Sequence, residues 1–192
     1  SFLNPTINKI VLQNVTLSSE NELKGKSFSL SINSMKAAVN QVNNGWEARI
    51  RLNSRINDLT FKKQNGSFAK GMDLNSNLEL KYDPDAKNIH ITSDNFSLDK
   101  NKFTLDANFG IKGNSKFNIK FYHPAIAFKE ASAIVSNNIK SKLEKFDLKK
   151  PIEVTCTISG DLKVKGTTKI HVLAPVKNNE LTAVDQVFTN CS

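Results

Sequence analysis

Apolar and polar residues alternate along most of this chain, most cleanly over residues 74–121. Leu74, Leu78, Leu80 and Tyr82 share one parity while Glu79 and Lys81 take the other, which is the period of a strand with one buried face. The DPDAKN cluster that follows favours a reversal, because proline presets φ and Asx side chains bond back to the local backbone. Ile89 and Ile91 resume the pattern, Phe96 and Leu98 continue it, and Phe103, Leu105, Ala107, Phe109 and Ile111 form the next run. After KGNSK come Phe117, Ile119 and Phe121. Strands recurring about every ten residues, with turn chemistry between them, predict an antiparallel meander.

The flanking segments extend that sheet. Ile10 and Leu12 lie on one parity, Val15 and Leu17 on the other, so the first strand must change phase near Gln13 and Asn14; a β-bulge or short break is the expected device. Phe28, Leu30 and Ile32 form another strand, and Trp46, Ala48, Ile50 and Leu52 alternate against Glu47, Arg49 and Arg51. Strands resume with Ile152, Val154, Cys156 and Ile158, then Leu162 and Val164, then Ile170 and Val172, with a break or an edge at Pro175. The exception is 125–148. Phe128, Ala131, Val135, Ile139, Leu143 and Phe146 recur at three- and four-residue steps, predicting an amphipathic helix with Pro124 at its entry and Pro151 past its exit. Such a stripe packs against its own sheet; its basic outer face leaves a membrane surface or a partner helix as the alternative. The fold class is therefore mainly β: one domain, a long curved antiparallel meander sheet, with one amphipathic helix at about 125–148.

Composition narrows the function classes. The chain has 192 residues, a formal net charge of +9 and 12 Phe, so its surface attracts anions. Lysines are spread through turns and outward strand positions without a dense basic block, and the phenylalanines share parity with Leu and Ile, which argues for an apolar lining and against the stacking platforms of nucleic-acid binders. His90, His123 and His171 are far apart, and no HExxH, GxSxG, P-loop or GxGxxG pattern occurs. Asp83 and Asp85 flank Pro84 in a turn. The expectation is a protein that is not an enzyme and has no cofactor, no metal and no nucleic-acid partner. Cys156 and Cys191 allow one disulfide, although a thiol in a strand-like run such as Cys156 is more often inert and buried. Sequons at Asn14, Asn65, Asn95 and Asn190 arise readily in so Asn-rich a chain. No apolar stretch approaches the ~20 residues of a membrane-spanning helix. The abrupt ends, SFLNPT and VFTNCS, suggest a piece of a longer protein whose anchor lies elsewhere.

Taken together, INDLTFKKQNGSF, LNSNLELKYDPDAKNIHI, FTLDANFGIKG, the helix ending in KLEKF, KKPIEVTCTISGDLKV and the closing VFTNCS resemble the AsmA-like family over most of the chain from Ile10 onward. These are patterns of Gly, Pro and alternating apolar residues and carry no catalytic signature. The resemblance implies a periplasmic protein anchored in the inner membrane, with a taco-shaped sheet forming a lipid-lined groove that moves phospholipid toward the outer membrane. It also implies a membrane anchor and further β repeats, absent from these residues, as partners. The lining would draw on Phe28, Leu30, Ile50, Leu52, Leu78, Leu80, Phe103, Leu105, Phe109, Phe117, Ile119 and Ile158, with Lys112, Lys116 and Lys120 at a basic rim. Strands of about eight residues would span about 26 Å at ~3.3 Å per residue. The alternative is a scaffolding or adhesion β-domain in which the same face is an ordinary closed core with no ligand.

Overall fold

The structure, a computed structural model, describes residues 8–21, 25–60, 66–67, 69–111, 113–134, 140–141, 143–164, 168–183 and, for the backbone, 186–191. Its strands are β1 (Lys9–Asn21), β2 (Lys26–Val42), β3 (Gly45–Thr60), β4 (Met72–Asp83), β5 (Asn88–Leu98), β6 (Asn101–Gly110), β7 (Lys116–Ile126), β8 (Phe146–Leu148), β9 (Ile152–Asp161), β10 (Lys169–Leu173), β11 (Asn179–Ala183) and β12 (Gln186–Cys191), with one helix, α1 (Phe128–Ile134). Nine of these strands form one sheet in the order β1-β2-β3-β4-β5-β6-β7-β9-β10, and every neighbouring pair is antiparallel. The meander read from the alternation is the architecture of the molecule. Its strands are longer than expected: β2 has 17 residues and β3 has 16, about 50 Å at ~3.3 Å per residue.

Asparagines sit where the strands change phase. Asn14 has φ 54°, a left-handed conformation that Asn tolerates better than other side chains with a Cβ, and it lies between the pairs Gln13↔Ser34 and Val15↔Ile32. The reversal expected near Gln13 and Asn14 is there. The neighbouring strand reverses at the same level, because the β2–β3 register shifts between Ile32 and Ser34. The amide of the intervening Asn33 donates to Asn53 Oδ1 at 2.8 Å. Farther along, the β2–β3 register shifts again between Ser29 and Leu30, and Asn57 donates to Ser29 and Ser31 at 3.2 and 2.7 Å. Where β4 and β5 lose register between Asn75 and Glu79, the backbone N–H of Asn77 donates to Asn95 Oδ1 at 3.1 Å. Each side chain supplies a polar partner beside a bulge, which lets the apolar parity continue across it.

The helical stretch starts later and stops earlier than the sequence pattern predicts. Ala125 and Ile126 belong to β7, α1 covers Phe128–Ile134, and Phe146–Leu148 form β8; Lys140, Ser141 and Leu143 are also helical. Val135 and Ile139 of the expected stripe lie outside the described residues. Two forces override the periodicity. At the entry, β7 carries Pro124 through a register shift between His123 and Ile126, an interruption of the ladder where a residue without an N–H is tolerated. At the exit, Phe146, Asp147 and Leu148 pair with Ala183, Thr182 and Leu181. This pairing belongs to a second sheet, ordered β12-β11-β8, which the alternation did not reveal.

The cap formed by these elements covers one end of the large sheet. Ile32, Ile56, Leu74, Leu98, Ile126 and Ile152 pack in one core with Leu148 of β8, and Phe128, Ala131, Ile134 and Leu181 of the cap pack against it. Buried Asn179 ties the cap down: its amide donates to Lys150 O at 3.0 Å, while its Oδ1 accepts from the backbone N–H groups of Lys150 and Glu180, each at 2.9 Å. The ends bearing the β1–β2, β3–β4 and β5–β6 connections are the covered ones. The opposite ends lie beyond this core.

Candidate functional site: an apolar sheet face covered at one end

Directly paired residues of an antiparallel sheet point to the same side, so the register decides whether the expected lining shares a face. It does. Trp46 pairs with Tyr82, Tyr82 with Ile89, Ile89 with Phe109 and Phe109 with Phe117. A second row runs through Val39, Ala48, Leu80, Ile91, Ala107, Ile119, Ile158 and Ile170. The second row crosses eight strands, about 34 Å at ~4.8 Å per strand. Ile50 pairs with Ala37 and Leu78, Leu52 with Met35, Leu30 with Ile56, Phe28 with Leu59 and Leu105 with Phe121, all on the same side by alternation.

Burial divides that side in two. Leu30 and Phe103 belong to the capped core, so they are packing residues and not an accessible lining. Leu105, Phe117 and Ile158 are buried as well, Ile158 to 1% exposure. Ile50, Leu52, Leu78, Leu80, Phe109 and Ile119 remain half-buried, and Phe28 is exposed near one end of β2. The accessible part of the expected lining is thus centred on β3, β4 and the distal ends of β6 and β7. Trp46, Tyr82, Ile89, Ile91 and Met35 join it, although the sequence reading did not select them. Their parity was the available signal; assigning them needed the register.

On this uncovered part a hollow of ≈ 480 Å³ is lined by Ile10, Met35, Ala37, Val39, Trp46, Ala48, Ile50 and Leu80, with Gln41, Asn44 and Gly45 at its end. Small side chains at Ala37 and Ala48, flanked by larger ones, make the depression. Gly45 lets the strands approach there, since a Cβ at that position would fall 2.1 Å from the Tyr82 carbonyl oxygen. Aromatic pairs border the face: Trp46 and Tyr82 have ring centroids 5.7 Å apart, and Phe109 stacks on Phe117 at 6.2 Å.

The opposite face is polar. Arg55–Asp73 at 2.6 Å and Lys81–Glu47 at 3.2 Å pair charges of opposite sign across strands, and His90 Nε2 lies 3.3 Å from Asp106 Oδ1. Lys120 stands on this face between Asp106 and Thr157, and Lys116 pairs with Asp161 at the end of β7; Lys112 lies outside the described residues. Lys120 is therefore not a rim residue of the apolar side, because alternation from Ile119 and Phe121 turns it away.

The reactive side chains are scattered. Cys156 is a free thiol on the apolar side opposite Phe121, and burial raises its pKa to about 11. His123 packs its ring edge against Phe103 at 5.2 Å, and burial lowers its pKa although the Glu130 carboxylate acts the other way. Among the described residues no group of three or more His, Cys, Asp or Glu converges as a metal site, and no helix is long and apolar enough to cross a membrane. Comparison with protein-family models, curated proteins and solved structures returned no match.

Proposed function

We propose that the chain is a non-enzymatic lipid-binding segment whose uncovered apolar sheet face holds acyl chains, as the resemblance to AsmA-like proteins implies. The observation that carries this reading is the half-buried apolar surface beyond the cap, with its ≈ 480 Å³ hollow over Ala37 and Ala48. Each methylene transferred from water to such a surface is worth about 0.8 kcal/mol, so a chain lying on it binds without a specific polar contact. In this role the segment sits in the periplasm, is tied to the inner membrane by an anchor elsewhere in the protein, and passes phospholipid toward the outer membrane along further β repeats.

The capped core favours a second reading, a scaffolding or adhesion β-domain without ligand, since half of the face is already covered by the protein itself. Lipid recovery separates the two. Native mass spectrometry of the purified chain, after expression in a bacterial envelope, should show bound phospholipid. Leu80→Asp, at a half-buried position of the uncovered part, should abolish that signal while the far-UV circular dichroism stays unchanged. An empty wild-type chain, or lipid retained in full by folded Leu80→Asp, would sink the proposal.

A further inference from the structure

The polar face carries a feature that lipid storage on the other side does not use. Lys9 of β1 pairs with Ala38 of β2, Ala38 with Arg49 of β3, and Arg49 with Glu79 of β4. In the adjacent row Lys36 pairs directly with Arg51. Like charges directly opposite one another destabilise a sheet, and elsewhere on this face Lys81–Glu47 and Arg55–Asp73 match opposite signs. Here the matching fails. Among the described residues Glu79 forms an ion pair with Arg49 alone, at 3.8 Å, and no carboxylate lies within ion-pair distance of Lys9, Lys36 or Arg51.

The shape matches the charge. Ala38, which is exposed and has only a methyl group, sits among these long side chains, and a hollow of ≈ 430 Å³ opens there, lined by Lys9, Lys36, Arg49, Arg51, Glu79 and Ala38 among others. Four cations against one carboxylate around a shallow seat make an electropositive well on a chain that is already basic. Guanidinium forks bind tetrahedral oxyanions bidentately, and lysines add point charges.

From this arrangement we infer that the polar face holds an anion site, seated over Ala38 and built by Lys9, Lys36, Arg49 and Arg51, which takes a phosphate-bearing group. A bound oxyanion would relieve the Lys36–Arg51 repulsion that the fold otherwise carries. Ala37, Ile50 and Leu78 of the apolar side also border this hollow, but the four cations all stand on the polar face, so removing their charge leaves the apolar side chains in place.

Isothermal titration with inorganic pyrophosphate and flotation with phosphatidylglycerol or phosphatidylcholine vesicles test it on the whole chain. Binding of pyrophosphate, of phosphatidylglycerol vesicles or of both is expected. In the double variant Lys36→Gln/Arg51→Gln that binding should weaken about tenfold or more, the scale of losing charge-assisted hydrogen bonds. Ala38→Glu, which places a carboxylate in the seat without removing a cation, should do the same. Lys102→Gln, an exposed lysine on β6, lowers the net charge and should leave affinity unchanged. Pyrophosphate binding without vesicle binding identifies a soluble phosphate as the ligand, and selective flotation with phosphatidylglycerol identifies a lipid head group. No binding of either probe by the wild type, equal binding by the folded variants, or an equal loss with Lys102→Gln would overturn the inference.

Discussion

The two ends of the apolar face use the same residue types and the same parity, yet only one end is a core. Near the cap, Ile126 and Ile152 pair across β7 and β9 beneath α1 and β8 and are almost wholly enclosed. Toward the β2–β3 and β4–β5 turns, Ile50 and Leu78 pair across β3 and β4 and stay half-buried. The difference is therefore supplied by a second layer brought in from distant sequence. Alternation specifies which side of a sheet is apolar, and only long-range packing specifies whether that side faces protein or something else.

The sharpest way to break this contrast is truncation at both ends. Ile126→Ala, at 1% exposure, should lower unfolding stability by about 2–5 kcal/mol, whereas Leu78→Ala should cost less than about 1 kcal/mol because its side chain is already partly solvated. Chemical denaturation of the two variants checks this. Equal losses would mean that the second end is sealed in solution.

The boundary between the two ends gives a smaller effect. Asn14 marks the level at which β1 and β2 reverse phase, and its φ of 54° costs a residue with an ordinary Cβ about 1–2 kcal/mol. Asn14→Ala should lose about that much, and Asn14→Gly should remain within a few tenths of a kcal/mol of the wild type. Thermal melts of the pair would show whether the left-handed residue matters; identical melts would remove it from the account.

The smallest effect is a pH dependence at the covered end of β3. Burial would raise the pKa of Asp58, but the hydroxyls of Ser27, Ser67 and Thr60 and the charge of Lys70 outweigh it and hold the carboxyl below its ordinary value of 3.8. A depressed pKa stabilises the fold above the unfolded value and loses that contribution as pH falls through the folded one. The stability lead of the wild type over Asp58→Asn should accordingly be full near about pH 6 and shrink toward about pH 2.5. A lead that grows on acidification would contradict the hydrogen-bonded carboxylate.

Much of the large sheet could be read from the chain because its causes are local. Strand parity at Leu74, Leu78 and Leu80, the turn chemistry of DPDAKN and the phase change at Asn14 are each decided within a few residues. The cap was not legible for the opposite reason. β8 has three residues and exists only because β11, some thirty positions later, pairs with it, and that pairing takes Phe146 from a helical stripe whose period was real. Leu30 and Phe103 were misassigned to an open lining by the same omission, since nothing near them in sequence announces the layer above. Ala38 escaped notice because a small residue gains meaning only from the cations that neighbouring strands place around it.

The matched steps at Asn14 in β1 and Asn33 in β2 bear on how the exposed edge of β1 behaves. A strand arriving at that edge must carry its own half-turn of phase at the same level, or one of its ends will present polar groups to the greasy side. Regular, featureless strands, the kind that stack into aggregates, lack that offset. A straight strand laid along that edge would keep its apolar parity on only one side of the Asn14 level.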